Sequence, residues 1–153
     1  MKYLITGPSG AGKSTLAKVL SEDLGLSKLS LDDRIEWKEF MDKWKNSGAG
    51  LEEREACYQS TCSKLIDIAV TCEEEIIEGQ QLLEMNQVPE DAVLLVLLPT
   101  KQEVVMRRVE RSRRKGKPDW SEEKSIRTAE ELYEEALERL LVLRGQPGVI
   151  ILE

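Results

Sequence analysis

Eight residues near the amino terminus have the types and the spacing of a loop that binds phosphate. They read GPSGAGKS over residues 7–14 and fit the pattern G-x-x-x-x-G-K-[ST]. Three glycines allow the backbone to curl tightly, so that successive N–H groups point inward at phosphate oxygens. A helix predicted to begin near Lys13 adds its positive end to the same site. The pattern therefore predicts a site for the phosphates of a nucleoside triphosphate.

The last residues of this loop supply side chains for chemistry. Lys13 is expected to reach the β- and γ-phosphates as a catalytic residue, and the Ser14 hydroxyl is expected to ligate Mg²⁺. A glycine turn that merely enters a helix would explain neither side chain. The predicted nucleotide-binding residues of the loop are Gly7, Pro8, Ser9, Gly10, Ala11, Gly12, Lys13, Ser14 and Thr15. ATP and Mg²⁺ are the predicted ligands, although the choice of purine base stays open.

Strands and helices that alternate along the chain must position this loop. Five short apolar runs are predicted as strands, at residues 2–6, 27–31, 74–78, 92–98 and 148–152. The helical periods between them predict helices over about 13–24, 37–44, 51–71, 101–112 and 121–144. The apolar residues predicted to face inward from the first two helices are Leu16, Val19, Leu20, Leu24, Trp37, Phe40, Met41 and Trp44. This order predicts a parallel α/β sheet with helices on both faces.

Composition limits the class of protein and its partners. The 153 residues predict a single domain over 1–153, and the absence of histidine removes every His-based mechanism. With three cysteines and no leader sequence before the first strand, the predicted compartment is the reducing cytoplasm, with no membrane partner. The net charge is −7, yet residues 107–117 carry seven Lys/Arg and one Glu, or +6, which leaves −13 elsewhere. This balance favours a compact anionic ligand over a long nucleic acid. The oligomeric state stays open.

With these elements in place, the chain resembles the P-loop small-molecule kinases, which include nucleoside monophosphate, shikimate and gluconate kinases. The likeness extends over nearly the whole sequence, but the phosphate loop carries most of its specificity. It implies a three-layer α/β/α P-loop NTPase fold with a five-stranded parallel sheet in the order 2-3-1-4-5. It also implies a short mobile lid at about residues 112–120 and ligands at the carboxyl ends of the strands.

Two carboxylates follow predicted strands at that end of the sheet. Asp32, in LSLDD (29–33), can accept the proton of an attacking hydroxyl, while its neighbour Asp33 is expected to cap the next helix. The resemblance implies that Asp32 also helps to hold the metal. Glu78, in IIEGQQLL (76–83), is similar to the acidic residue that orients a metal-bound water in this superfamily.

The basic segment EVVMRRVERSRRKGKP (103–118) resembles the part of these kinases that opens a lid over ATP. By that likeness, Arg107 stacks on the base and Arg111 reaches the transferring phosphoryl group as a catalytic residue. Arg127 is similar to the catalytic arginine that returns from the lid toward the phosphates. Arg108 is an alternative to Arg107, because spacing alone does not distinguish them.

The expected reaction is transfer of the γ-phosphoryl group of ATP to a hydroxyl of a small molecule. Gln80 or Gln81 could hydrogen-bond that acceptor, and Arg34 could contact an acceptor anion. The turn after the third strand has no basic residue, which disfavours the closest alternative, a nucleoside or deoxynucleoside monophosphate kinase. A 5′-hydroxyl polynucleotide kinase and a nucleotide-binding switch protein are less favoured alternatives.

Overall fold

The phosphate-binding loop follows the central strand of a five-stranded parallel sheet. A computed structural model describes residues 1–45, 50–114 and 122–153. Its strands are β1 (Lys2–Thr6), β2 (Lys28–Ser30), β3 (Ile76–Glu78), β4 (Ala92–Leu97) and β5 (Val149–Leu152). They are arranged β2-β3-β1-β4-β5, which confirms the predicted fold class and sheet order. This order places the end of β3 beside the loop that follows β1, and the end of β2 one strand further away.

Helices connect successive strands and pack on the sheet. They are α1 (Lys13–Leu24), α2 (Ile35–Lys45), α3 (Leu51–Thr71), α4 (Lys101–Arg114) and α5 (Glu122–Leu143). Two 3-10 helices, here called the β2 turn (Leu31–Asp33) and the β3 turn (Gln80–Glu84), follow the strands of the same number. Within the described parts of the chain, no helix has the length and apolar character needed to cross a membrane.

Alternate residues of the central strands face two different helical layers. Leu4 of β1 and Ile77 of β3 belong to a large core that also receives side chains from α2, α3 and α5. Ile5 and Ile76, one position along, pack with Ala17 of α1 in a smaller cluster on the opposite face. The sheet is therefore apolar on both faces, as expected where helices cover both sides of a parallel sheet.

The aromatic residues of α2 are mainly core residues. Trp37 and Phe40 are buried, as their helical spacing predicts. Both rings pack against Tyr58 of α3, with centroid distances of 6.2 and 5.8 Å. Trp44 is partly buried and packs against the same core. These contacts fix α2, and with it the β2 turn that precedes it.

Three apolar side chains predicted to face inward are exposed. Val19 is 47% exposed, Leu24 51% and Met41 49%, so these predictions are wrong. On α1 the contact with the sheet centres on the small, buried Ala17, with Leu20 beside it. Val19 lies about 200° around the helix from Ala17 and so points away from the sheet. The apolar period alone did not show which residue makes the closest contact.

Most predicted elements match the observed ones within one or two residues. The first strand and the third helix have the predicted bounds, whereas α4 continues two residues beyond the predicted end, through Arg114. The first three residues of the predicted lid, 112–114, are therefore helical. Its remaining residues, 115–120, lie outside the described parts of the chain.

Candidate active site

The phosphate-binding loop is shaped by steric constraints on its backbone. At Gly7 φ is +150°, and a Cβ there would lie 2.4 Å from the carbonyl oxygen of Leu97 on β4. Any larger residue would therefore collide with the neighbouring strand. Gly12 has φ of +96° and immediately precedes the first turn of α1. Within the loop Pro8 and Ala11 are buried, while Ser14 and Thr15 are exposed at the start of the helix.

Lys13 lies across this loop. Its ammonium group donates hydrogen bonds to the carbonyl oxygens of Gly7, at 3.1 Å, and Pro8, at 3.0 Å. Both acceptors are main-chain atoms of the loop itself, so the lysine is held over the surface on which phosphates are predicted to bind. The structure thus places the predicted cation at the predicted site.

The electrostatic surroundings of Lys13 include three other predicted site residues. Burial lowers the pKa of Lys13 from its ordinary value, and the carboxylates of Glu78 and Asp32 partly oppose that shift. Arg111 of α4 lowers the pKa further because it brings a like charge. Side chains from β3, the β2 turn and α4 therefore converge on the lysine, although they are far apart in sequence.

Ser14 and Glu78 form a pair of oxygen ligands beside the loop. The Ser14 hydroxyl donates a long hydrogen bond of 3.4 Å to Oε1 of Glu78, whose residue is only 5% exposed. A hydroxyl and a carboxylate suit Mg²⁺, which uses few protein ligands and completes its coordination with water and phosphate oxygens. The described residues contain no cluster of three or more His, Cys, Asp or Glu side chains suited to hold a metal ion by themselves. The donor set fits the predicted ion.

Asp32 is exposed in the β2 turn, where a carboxylate can meet a ligand. Its Oδ1 accepts a hydrogen bond of 2.9 Å from Nε2 of Gln81 in the β3 turn. Gln81 is fully buried, whereas Gln80 beside it is only partly buried. The two turns therefore meet through a side-chain contact that the sequence did not predict.

Asp33 does not have its predicted capping role. Helix α2 begins at Ile35, and the carbonyl oxygen of Arg34 accepts the first hydrogen bonds, from the N–H groups of Trp37 and Lys38. Asp33 is the last residue of the 3-10 turn that follows β2, and Arg34 lies between it and the helix. Arg34 therefore occupies the position directly before α2 that a capping residue would need. The exposed Asp33 side chain therefore lies outside the helix start.

Arg34, just before α2, is bound by a carboxylate in the first turn of that helix. Its guanidinium donates two hydrogen bonds to Glu36, at 3.1 and 2.9 Å. These bonds raise the pKa of Arg34 and lower that of Glu36. The predicted contact between Arg34 and an acceptor anion would have to compete with this bidentate ion pair.

Two arginines of α4 contact the outer side of the loop. Arg107 is exposed and donates from Nη1 to the carbonyl oxygen of Gly10, at 3.1 Å. Arg108 is partly buried and donates from Nη1 to the hydroxyl of Ser9, at 3.2 Å. Burial lowers the pKa of Arg108, and its neighbour Arg111 lowers it further. Both candidates thus reach the loop, and Arg108 is the more enclosed of the two.

The remaining predicted arginines are solvent-exposed. Arg111 lies on α4, near enough to Lys13 to affect its pKa. Arg127 lies on α5, and its role remains a prediction. Helix α5 is anchored near the site because the Tyr133 hydroxyl donates to the carbonyl oxygen of Pro99, at 3.0 Å. Lys101 of α4 also pairs with Glu134, at 2.6 Å.

Comparison with known proteins gives a family and a set of similar folds. The family model described as an AAA domain matches residues 4–143. None of the curated proteins compared with the chain matches its sequence.

Solved structures of three kinases have similar folds. Deoxyadenosine kinase from M. mycoides with bound dATP superposes with a TM-score of 0.57 at 16% identity, covering 100% of this chain and 91% of that one. Shikimate kinase from Acinetobacter baumannii in complex with shikimate gives 0.54 at 17% identity, covering 99% and 83%. A gluconokinase from Sinorhizobium meliloti 1021 gives 0.54 at 16% identity, covering 98% and 80%. These structures confirm the fold that the resemblance to P-loop small-molecule kinases predicted.

Proposed function

The chain belongs to the AAA-domain family, and we propose that it is an ATP- and Mg²⁺-dependent phosphotransferase acting on a small-molecule hydroxyl. The observation that supports this proposal most directly is the placement of Asp32. Its carboxylate is exposed, lies close enough to affect Lys13 and is held on one oxygen by Gln81. A carboxylate in that position suits removal of a proton from a hydroxyl beside the γ-phosphate.

The proposed reaction uses three side chains and the main chain of the loop. Asp32 accepts the proton of the acceptor hydroxyl while the acceptor oxygen bonds to the γ-phosphorus. The bond from that phosphorus to the bridging oxygen of ADP breaks, and ADP leaves with the bonding electron pair. Lys13 and Arg111 stabilise the negative charge on the transferring group, and the main-chain N–H groups of the loop hold the phosphates that stay behind.

Ser14 and Glu78 would hold Mg²⁺. When bound, this ion screens the phosphate charges and fixes their orientation. Glu78 suits that role because it is buried at the end of β3, within 3.4 Å of the Ser14 hydroxyl. A carboxylate buried to this extent is stabilised by a cation beside it.

Two features favour a hydroxyl acceptor over a phosphate acceptor. The β3 turn, QQLLE, contains no basic side chain that could hold the phosphate of a nucleoside monophosphate. Arg34 is already bound by Glu36. The names of the three similar kinases agree with a hydroxyl acceptor, because deoxyadenosine, shikimate and gluconate all carry hydroxyl groups. A deoxynucleoside, a sugar acid or a related polyol is the proposed class of acceptor.

An acceptor screen tests this proposal. Purified protein is incubated with MgATP or MgGTP and one member of a panel of nucleosides, nucleoside monophosphates, sugars and sugar acids, and release of nucleoside diphosphate is measured. We expect release that depends on a hydroxyl acceptor and is lost in EDTA. Release only with monophosphates would favour the monophosphate kinase alternative, and tight nucleotide binding without turnover would favour a switch protein.

A further inference from the structure

We propose that Gln81 is a positioning residue that holds Asp32, and that it does not contact the acceptor. This inference rests on the proposed function, because it assigns a task to Gln81 within the same site. It also replaces the sequence-based expectation that Gln81 hydrogen-bonds the acceptor. Three observations support it: Gln81 is buried, its amide donates to Asp32, and the neighbouring Gly79 is hydrogen-bonded to β1.

Burial separates the two glutamines of the β3 turn. Gln81 has no exposed surface, and its neighbours in the turn, Leu82 and Leu83, are also buried. A ligand at the carboxyl ends of the strands would therefore meet Asp32 before it could meet Gln81. Gln80, which is only partly buried, is the glutamine of this turn that can still reach an acceptor.

The hydrogen bond between the two turns fixes an otherwise free carboxylate. Asp32 lies on a turn of only three residues and is exposed, so few packing contacts restrict its side chain. Nε2 of Gln81 donates to Oδ1 at 2.9 Å, which leaves Oδ2 for the acceptor hydroxyl. A neutral amide provides this bond without adding a full charge beside Lys13. The amide therefore orients the carboxylate and leaves the charge balance of the site unchanged.

Contacts through Gly79 connect Gln81 to the strand that carries the phosphate loop. The N–H of Gly79 donates to the carbonyl oxygen of Ile5, at 3.0 Å, and the Thr6 hydroxyl donates to the carbonyl oxygen of Gly79, at 2.8 Å. The β3 turn therefore has a fixed position relative to β1. Because Asp32 is bound to Gln81, the proposed base is held at a fixed distance from the loop that holds the phosphates. Positioning of this kind affects rates strongly, since a shift of about 1 Å can cost roughly 10²-fold.

Gly79 also provides the space that this arrangement needs. A Cβ at Gly79 would lie 2.3 Å from Oε1 of Gln81 and 2.9 Å from Cβ of Leu31. Its φ of 167° is ordinary extended backbone, so the requirement for glycine here is steric rather than conformational. The β2 and β3 turns approach closely at this position, and the Gln81 side chain fills the remaining volume between them.

The substitution Gln81→Met tests the proposal because it keeps most of the side-chain volume and removes the donor. We expect kcat to fall about 10–100-fold with the KM values for ATP and acceptor nearly unchanged. Gln59→Met is the matched control, because Gln59 is exposed on α3 and bonds only Glu55 and Glu84 in the described structure. A rise in the acceptor KM at constant kcat would overturn the proposal and restore direct contact.

A double-mutant cycle shows whether Gln81 acts through Asp32. In an Asp32→Asn background, Gln81→Met should lower kcat by less than about twofold, because the positioned group has already been removed. An equal loss in both backgrounds would overturn the proposal.

A measurement without turnover separates this inference from the proposed function. Side-chain three-bond couplings of Asp32 in the NMR spectrum report its χ1 rotamers. We expect one rotamer in the wild type and averaging among rotamers in Gln81→Met, provided that both proteins show the same folded amide spectrum. A single unchanged rotamer in the variant would overturn the inference. Absence of acceptor-dependent turnover in the wild type would instead contradict the proposed function, whatever the couplings show.

Discussion

The phosphate loop, residues 7–14, and the acceptor edge, defined as the β2 and β3 turns, lie side by side but are constructed differently. The loop is set by main-chain geometry, such as the positive φ of Gly7 against the carbonyl oxygen of Leu97. The acceptor edge is set by side chains, above all the hydrogen bond from Gln81 to Asp32. Main-chain geometry needs particular residue types at fixed spacing, whereas a side-chain contact depends on which elements the fold brings together.

This difference predicts how the two regions respond to substitution. In the loop, the proposed ligand groups are mostly amide N–H groups, which no side-chain exchange removes. Only Lys13 and Ser14 contribute side chains of their own. At the acceptor edge every proposed function depends on a side chain, so single exchanges should alter rate and acceptor choice. The following substitutions test that contrast.

The largest effect is expected for Lys13→Ala. Loss of a cation on the transferring group should lower kcat by about 10³–10⁵-fold, the range that one such charge contributes in phosphoryl transfer. The partly buried ammonium is replaced by a methyl group, so the melting temperature should change little. Lys18→Ala, at an exposed site on the same helix, is the control. Retained turnover in Lys13→Ala would remove the loop lysine from the mechanism.

Asp32→Asn tests the acceptor edge with the next largest effect. If Asp32 is the base, kcat for a hydroxyl acceptor should fall about 10²–10⁴-fold while ATP affinity stays nearly constant. Asp33→Asn, one residue along the same exposed turn, should have little effect. Steady-state kinetics and calorimetric ATP titration measure the two quantities. An unchanged rate in Asp32→Asn would indicate a phosphate acceptor, which has no proton to lose.

Arg108→Ala tests whether an arginine outside the loop supports the phosphate side. Because Arg108 is partly buried and contacts Ser9, we expect the Kd for MgATP to rise about tenfold, as for loss of one hydrogen bond to a charged group. Arg114→Ala on the same helix is the control, since Arg114 is exposed and pairs with Glu110. Equal affinity in both variants would confine nucleotide binding to the loop.

Gly79→Ala tests the packing of the acceptor edge through its effect on stability. The added methyl group would meet Gln81 and Leu31, so the free energy of unfolding should fall by about 1–3 kcal/mol. Gly50→Ala is the control, because a Cβ there meets no atom of the described residues within 4 Å. Its cost should stay below about 1 kcal/mol. Urea denaturation followed by circular dichroism measures both, and equal stabilities would mean that the two turns can separate at no cost.

Much of the fold was predictable because its signals are local. Apolar runs and the stop signal at Gly25 identified the strands and the end of α1, where Gly25 adopts a left-handed conformation. Which apolar side chains of a helix are covered by other elements was harder to predict from the sequence. Val19 and Met41, which are exposed, show this. Helical period gives an apolar face, but the neighbouring elements determine which part of that face is covered.

The candidate site also contains residues that local sequence signals identified and contacts that they did not. The loop pattern located Lys13 and Ser14, and the ends of the second and third strands located Asp32 and Glu78. The contact between Gln81 and Asp32, by contrast, depends on packing that no spacing encodes. Gln81 and Asp32 are 49 residues apart and meet only because β2 and β3 are neighbours.

The sequence by itself therefore determined the phosphate loop, the parallel α/β architecture and the two carboxylates at or just beyond the ends of β2 and β3. Each of these depends on backbone conformation or on side-chain periods within a few residues. Tertiary structure alone decided that Gln81 is buried against Asp32. Burial and hydrogen-bond partners are properties of the packed chain, because they depend on atoms contributed by distant segments.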